Sequence, residues 1–339
     1  PPPPHGRSYD PPFADHKTGR GEAGDRGSDL GGSVPGRQIV LAYAGLSVAV
    51  VSWGFSPVFI RFLSAPYDPF TQAFLRYGAA TVALLILSAW FYPRDFERAW
   101  RHAGALLMLA AVLVAYQYTW TAGCAGANPT VAQLISKISL VLVILFSFAI
   151  FRDERSVIRS KKFLLGTLLC LVGVAFVLVR DPGRLLPTVD VYTLLVWLSA
   201  LCWAVYAVWA RHVSLNIHPV PMFTVLAVFT TVGLGVLALA FGEPSSLFEA
   251  GAYNTGVAVL SGLFPIAAAH PAFHYAQKNL GSAYCNTLEL LNPLVTYGVA
   301  VMIWPEEQLI LTQWLGGALL LMGAFMVVRA RRQAASAAE

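Results

Sequence analysis

Charge is what this sequence of 339 residues has least of: Asp, Glu, Lys and Arg together make 12% of it. A water-soluble chain carries roughly 25%. Half that share cannot cover a soluble surface of this size, while 57% of the residues are hydrophobic. Cysteine is nearly as sparse. The four (Cys124, Cys170, Cys202 and Cys285) are scattered through apolar stretches with no C-x-x-C pair, which leaves no basis for a disulfide framework, a redox pair or a zinc site. Catalytic signatures are also missing: there is no G-x-S-x-G, no phosphate-binding P-loop and no H-E-x-x-H. A G-x-G-x-x-G does occur at Gly19, Gly21 and Gly24, but no strand precedes it and no amphipathic helix follows, so it is read as chance and no cofactor is expected.

What is present is long apolar runs. A bilayer-crossing helix needs ~20 mainly apolar residues, since backbone groups cannot stay unpaired in hydrocarbon. Ten segments qualify, at about 38–62, 69–92, 102–121, 128–151, 162–180, 190–212, 219–241, 253–277, 282–304 and 309–329. Turn signals such as Ala65-Pro66-Tyr67-Asp68-Pro69 and Gly242-Glu243-Pro244 separate them. Residues 1–37 are a different regime of proline, glycine and charge, expected to be a disordered tail, and they hold no apolar core of the kind a signal peptide needs. Residues 331–339 form a short second tail.

The net charge of +5 is a matter of topology rather than of nucleic-acid binding. Eighteen of the 23 basic residues fall in the tails or in one alternate set of connections, chiefly 93–102 and 152–162; the opposite set holds only Arg180 and Arg184. Such a bias puts both termini in the cytoplasm of a plasma or inner membrane and requires an even number of spans. Arg61 and Arg76 are expected to snorkel from spans 1 and 2 to the interface.

The chain also matches itself. A shift of 150 residues superposes Trp53-x7-Arg61 on Trp203-x7-Arg211, and Gly166 and Gly173 on Gly316 and Gly323. A shift of 153 places Phe151-Arg152-Asp153-Glu154 on Trp304-Pro305-Glu306-Glu307. Two repeats of five spans, 38–180 and 190–330, must insert in opposite directions because five is odd. The fold expected is an all-α integral membrane protein of ten transmembrane helices, built as two inverted five-helix repeats, with a substrate site near the midplane between them. The paired glycines are expected to bring helices into close contact, within the chain or across a homodimer.

Ionisable groups inside spans are costly, at about 2.5–3.5 kcal/mol each on insertion scales, and so mark function by default. Lys137 in span 4 and Glu289 in span 9 occupy nearly equivalent repeat positions, since the 153 shift carries Glu289 onto Ser136. A substrate carboxylate on Lys137, with an ammonium group or coupling proton on Glu289, is one reading; a self-neutralising structural pair is the other. Gln133 and Asn292 share their helix faces. Tyr116, Trp120, Trp53, Trp203 and Tyr206 supply aromatic faces suited to organic solutes, with an interfacial belt as the alternative for Trp120. His270 and His274, one turn apart, suit a cavity wall or proton relay better than a metal, for want of a third ligand.

Trp53-Gly54 with Arg61, Phe74-Leu75-Arg76, Leu291-Asn292-Pro293-Leu294, Glu306-Glu307 and Gln313-Trp314-Leu315-Gly316-Gly317 with Gly323 together resemble the drug/metabolite transporter superfamily, in its EamA-type ten-helix branch, over roughly 38–330. That resemblance implies a secondary transporter, commonly an exporter, of amino acids, amines, other metabolites or drugs, and extends to carriers of sugar nucleotides and phosphate esters. One departure is visible. Where the first repeat of the family often has a proline in span 4, this chain reads Lys137-Ile138-Ser139-Leu140, so no kink is expected there. An intramembrane enzyme acting on lipid-linked or small polar substrates would need a richer cluster of acids and histidines; a channel would need a polar stripe along whole helices. The partners expected are a small organic solute and the bilayer, with a coupling proton and a homodimer as further candidates.

Overall fold

A computed structural model describes residues 36–126, 132–133, 136–178, 190–303 and 311–336, all within one compact unit. Residues 1–35 of the N-terminal tail, Arg180, Arg184 and the Trp304–Glu307 motif lie outside the described residues, while Gly36 and Arg37 already belong to the first helix. Helices are numbered here as α1 (Gly36–Leu63), α2 (Pro69–Phe91), α3 (Ala103–Gly126), α4 (Ser139–Ile150), α5 (Lys161–Leu178), α6 (Val191–Ser214), α7 (Pro219–Phe241) and α8 (Gly251–Leu280). The next, α9, runs as Ser282–Leu288, a 3-10 turn at Glu289–Leu291 and Asn292–Ile303, and α10 is Leu311–Ser336. Seven helices among the described residues are long and apolar enough to cross a membrane: α1, α2, α3, α6, α7, α8 and α10. Of the other expected spans, α4 has 12 residues, α5 has 18, and α9 is interrupted. The described residues contain helices and no strand.

Local sequence accounts for the helix ends. Asp68 caps α2, its Oδ1 accepting from the Phe70 and Thr71 amides, with Pro69 in the first turn where a missing N–H costs nothing. Asp190 does the same for α6 through the Thr193 amide. Large apolar side chains on the outer faces stay exposed, among them Leu239, Phe241, Trp90 and Met302. An apolar belt of this extent has lipid as its natural solvent.

Packing makes the repeat visible. Helix α3 packs on α6 and α8 on α1; α1 packs on α9 and α6 on α4; α2 meets α7, and α5 meets α10. Exchanging the halves leaves this set of partners unchanged. Residues 150 apart meet directly: Thr81 Oγ1 and Thr231 Oγ1 are 2.7 Å apart, and the Trp53 and Trp203 rings lie 5.3 Å apart at 88°. A residue that touches its own equivalent lies at a twofold axis. The direction follows from paired contacts. Ser88 bonds Thr224 while Thr81 bonds Thr231, so α2 and α7 run antiparallel. Gly166 abuts Gly323 and Gly173 abuts Gly316, so α5 and α10 do too. Helices antiparallel to their own equivalents make the repeats inverted.

Those four glycines are spent within the chain, so the homodimer contact considered for them is already covered by α5 against α10. A Cβ at Gly323 would stand 2.5 Å from Gly166 O and 2.6 Å from Cys170 Sγ. No L side chain fits at that separation. Gly323→Ala is therefore expected to force the two helices apart and cost about 1–3 kcal/mol, read as a lower melting temperature of the purified protein in detergent.

Candidate functional site

Two helix breaks set the site. In α9 the helical ladder tightens to a 3-10 turn at Glu289–Leu291, ahead of Pro293, which has no N–H to donate. In the first repeat, Lys137 and Ile138 form a turn that leads into α4, and the Leu140 and Val141 amides bond back only three residues, to the Lys137 and Ile138 carbonyls at 3.1 and 3.2 Å. The helical ladder is thus interrupted there without a proline. That place is the one the repeat symmetry requires. Discontinuous helices at membrane depth are tolerated where they line a cavity.

That cavity has a volume of about 60 Å³. At ~10–15 Å³ per water centre it holds on the order of four waters. Lys137 and Glu289 both line it, 9% and 6% exposed, and each lies within the field of the other's charge. Glu289 Oε1 has no hydrogen-bond partner among the described residues. Gln133 and Asn292 line the same space, as the helix-face argument requires. In the amide orientation that satisfies both ends, Asn292 Nδ2 donates to the Glu289 carbonyl at 3.1 Å and the Val50 carbonyl at 3.2 Å, tying the break in α9 to α1. Thr296 Oγ1 adds a bond to the Gly54 carbonyl at 2.7 Å.

Aromatic rings close the walls. Trp53, Trp203, Tyr116 and Trp120 all border the cavity. Trp120 is 7% exposed and stacked over Tyr116 at 6.5 Å, which places it in the wall rather than in an interfacial belt. Trp53 Nε1 donates to the Pro265 carbonyl at 2.8 Å, and that carbonyl belongs to a π-helical stretch of α8, Leu263–Ala268. A π turn frees backbone groups from the ordinary ladder, and such turns recur at functional sites. Trp203 Nε1 donates to Asn286 Oδ1 at 3.0 Å. Both indoles at the twofold axis are therefore held by hydrogen bonds, Trp53 to α8 of the opposite repeat and Trp203 to α9 of its own, and are not left to rotate.

Three expected site residues stand back from this cavity. Tyr206 and His274 bond each other, oxygen to Nε2 at 2.7 Å, and His274 Nδ1 meets Gln277 Oε1 at 3.0 Å. Both nitrogens of His274 are thus engaged. His270 stacks on Phe223 at 4.6 Å and lines a smaller space of about 20 Å³ beside the main one. The sequence reading missed Ser56, Ser136, Ser139 and Ser199, which also line the main cavity; isolated serines in apolar helices carry no distinguishing signal.

Two arginines depart from expectation. Arg76 does not snorkel: it is 2% exposed and lines the smaller space. Arg211, counted as a connecting charge, is 3% exposed. Its Nη1 lies 2.9 Å from Glu154 Oε1, its Nη2 lies 2.7 Å from Asp153 Oδ2, and its Nε donates to the Gln277 carbonyl at 3.1 Å. Glu154 in turn accepts from the Ser282 and Ala283 amides, both at 2.8 Å. The connection after α4, the end of α6 and the start of α9 are so pinned at one end of the bundle. Gly281 makes the approach possible, with φ of +96° beside the Glu154 side chain.

A polar cavity between inverted helical repeats, walled by broken helices, has the architecture of a carrier. Residues 40–179 and 191–329 each match the EamA-like transporter family. The chain belongs to that family. The chain is also similar to the uncharacterized transporter YyaM of Bacillus subtilis (strain 168), 20% identical over 260 residues that span 76% of this chain and 83% of the relative. A solved protein structure superposes with a TM-score of 0.71 at 16% identity, covering 88% of this chain and 98% of its own, a likeness of fold. Membership in the EamA-like family makes this a multi-pass membrane transporter with a small molecule as cargo.

Proposed function

We propose that the chain is a secondary transporter that exports a small organic metabolite, an amino acid or amine, by alternating access about the Lys137–Glu289 cavity, in a cell membrane with both termini cytoplasmic. The observation that carries this reading is the position of a buried acid and a buried base on equivalent helix breaks, facing one polar cavity between the repeats. A structural pair needs no cavity. Here the carboxylate retains an unpartnered oxygen in the wall, an expensive arrangement in a low-dielectric interior and a useful one if an ammonium group or a proton is to arrive. The indoles at the axis offer apolar and cation-binding faces.

A stabilisation screen on purified protein, covering amino acids, amines, nucleotide sugars and phosphate esters, followed by uptake of the hits into proteoliposomes, tests the proposal. Amino acids or amines should raise the melting temperature and accumulate in liposomes. A response confined to phosphate esters would overturn the reading, since a dianion gains nothing from a neighbouring Glu289.

A further inference from the structure

Arg76 presents a different problem from Lys137. Lys137 and Glu289 offset one another across their cavity, but Arg76 has no carboxylate opposite it among the described residues. Among the described residues its one hydrogen bond is from Nη2 to Ser56 Oγ at 3.1 Å, and its Nε has no partner there. A guanidinium stays charged at any pH a protein meets, so it cannot escape burial by neutralising itself. An uncompensated buried cation is among the costlier features a membrane protein can hold. The surroundings are built for something to join it. Gln117 and His270 border the same space of about 20 Å³, and His270 Nδ1 is also buried without a partner. This space shares Trp53, Ser56, Tyr116, Trp120 and Trp203 with the Lys137–Glu289 cavity, so the two lie side by side.

We propose that Arg76 is an anion subsite of the transport cavity, receiving the carboxylate of the cargo while the rest of the molecule lies between the indoles toward Lys137 and Glu289. This deepens the transport reading and rests on it. It names the cargo class: organic molecules carrying one carboxylate, with or without an amino group that reaches Glu289. Among the described residues that line the two spaces, Lys137 and Glu289 balance and Arg76 is the excess positive charge, which a monocarboxylate cancels. The planar fork of the guanidinium matches a carboxylate in a bidentate arrangement, which an ammonium group in its place could not reproduce.

The test uses the full chain in detergent with three probes of one shape: benzoate, benzamide and benzylamine. Benzoate should raise the melting temperature and benzamide should not. Arg76→Gln should weaken benzoate binding by about 10–100-fold, Arg76→Lys should weaken it less, and neither should change the response to benzylamine, whose partner is Glu289. Melting of the ligand-free protein separates a ligand role from a structural one: Arg76→Gln removes an uncompensated charge and should leave the protein equally or more stable. Equal benzoate binding by wild type and Arg76→Gln, or no benzoate response in the wild type, would overturn the subsite. A surviving benzylamine response, lost in Glu289→Gln, would still leave the transport reading in place, so the two failures are distinguishable.

Discussion

Lys137→Ala and Glu289→Ala should each abolish transport, and each should also destabilise the protein, because each leaves the other charge uncompensated in the membrane interior. Loss of transport alone would therefore not separate cargo binding from folding. The double variant does. Lys137→Met with Glu289→Met removes both charges at similar volume and should recover most of the lost stability, as replacing a buried ion pair by apolar groups generally does. Transport should stay lost. The comparison is made by melting temperature and proteoliposome uptake on the same preparations. A double variant that is stable and transports normally would reduce the pair to a structural neutralisation, and the cavity would then need another chemical centre.

The second large effect is expected in the cluster around Arg211, at one end of the bundle. Arg211 and Glu154 are both nearly removed from solvent, at 3% and 6% side-chain exposure, and 2.9 Å apart. Arg211→Ala leaves buried Glu154 with only the Ser282 and Ala283 amides, and Glu154→Ala leaves those amides unpaired and buried Arg211 with only the exposed Asp153 and the Gln277 carbonyl. Either change should cost about 3–5 kcal/mol. Asp153 binds the same guanidinium at 2.7 Å, yet its side chain is 68% exposed. Asp153→Ala should cost no more than about 1 kcal/mol. The contrast between two neighbouring acids on one arginine is the informative part, and thermal melting of the three variants measures it. Equal losses at Asp153 and Glu154 would show that burial is not what sets the strength of the cluster.

Much of this arrangement was legible before any coordinates, for reasons that differ by element. Hydropathy finds helices in lipid because the bilayer demands unbroken apolar length, and the seven long helices follow that rule. The repeat was legible because a shift of 150 aligned a tryptophan and two glycines, residues whose size extremes leave few substitutes at a crossing point. Lys137 and Glu289 stood out because a charge in an apolar run has a cost that needs a reason. Arg76 failed the same reasoning: a long side chain can reach an interface from several depths, and only the neighbours that enclose it decide whether it does. The break at Lys137 was hidden for a related cause. Pro293 marks the break in α9, but Lys137-Ile138-Ser139-Leu140 holds no proline or glycine to mark the turn in the first repeat. Glu154 looked like one more connecting charge, since nothing local shows that the start of α9 comes down upon it.

The account stands on cargo occupying the cavity between Lys137 and Glu289, and site-directed alkylation reads that occupancy directly. Ser199 is buried and lines the cavity, so Ser199→Cys, in a chain whose four native cysteines are replaced, places a thiol in its wall. A solute shown to be transported should slow alkylation of that thiol about tenfold when present at ten times its Kd, in proportion to the fraction of sites filled. Alkylation at an unchanged rate under saturating cargo would contradict the account, and would place the transport path elsewhere in the fold.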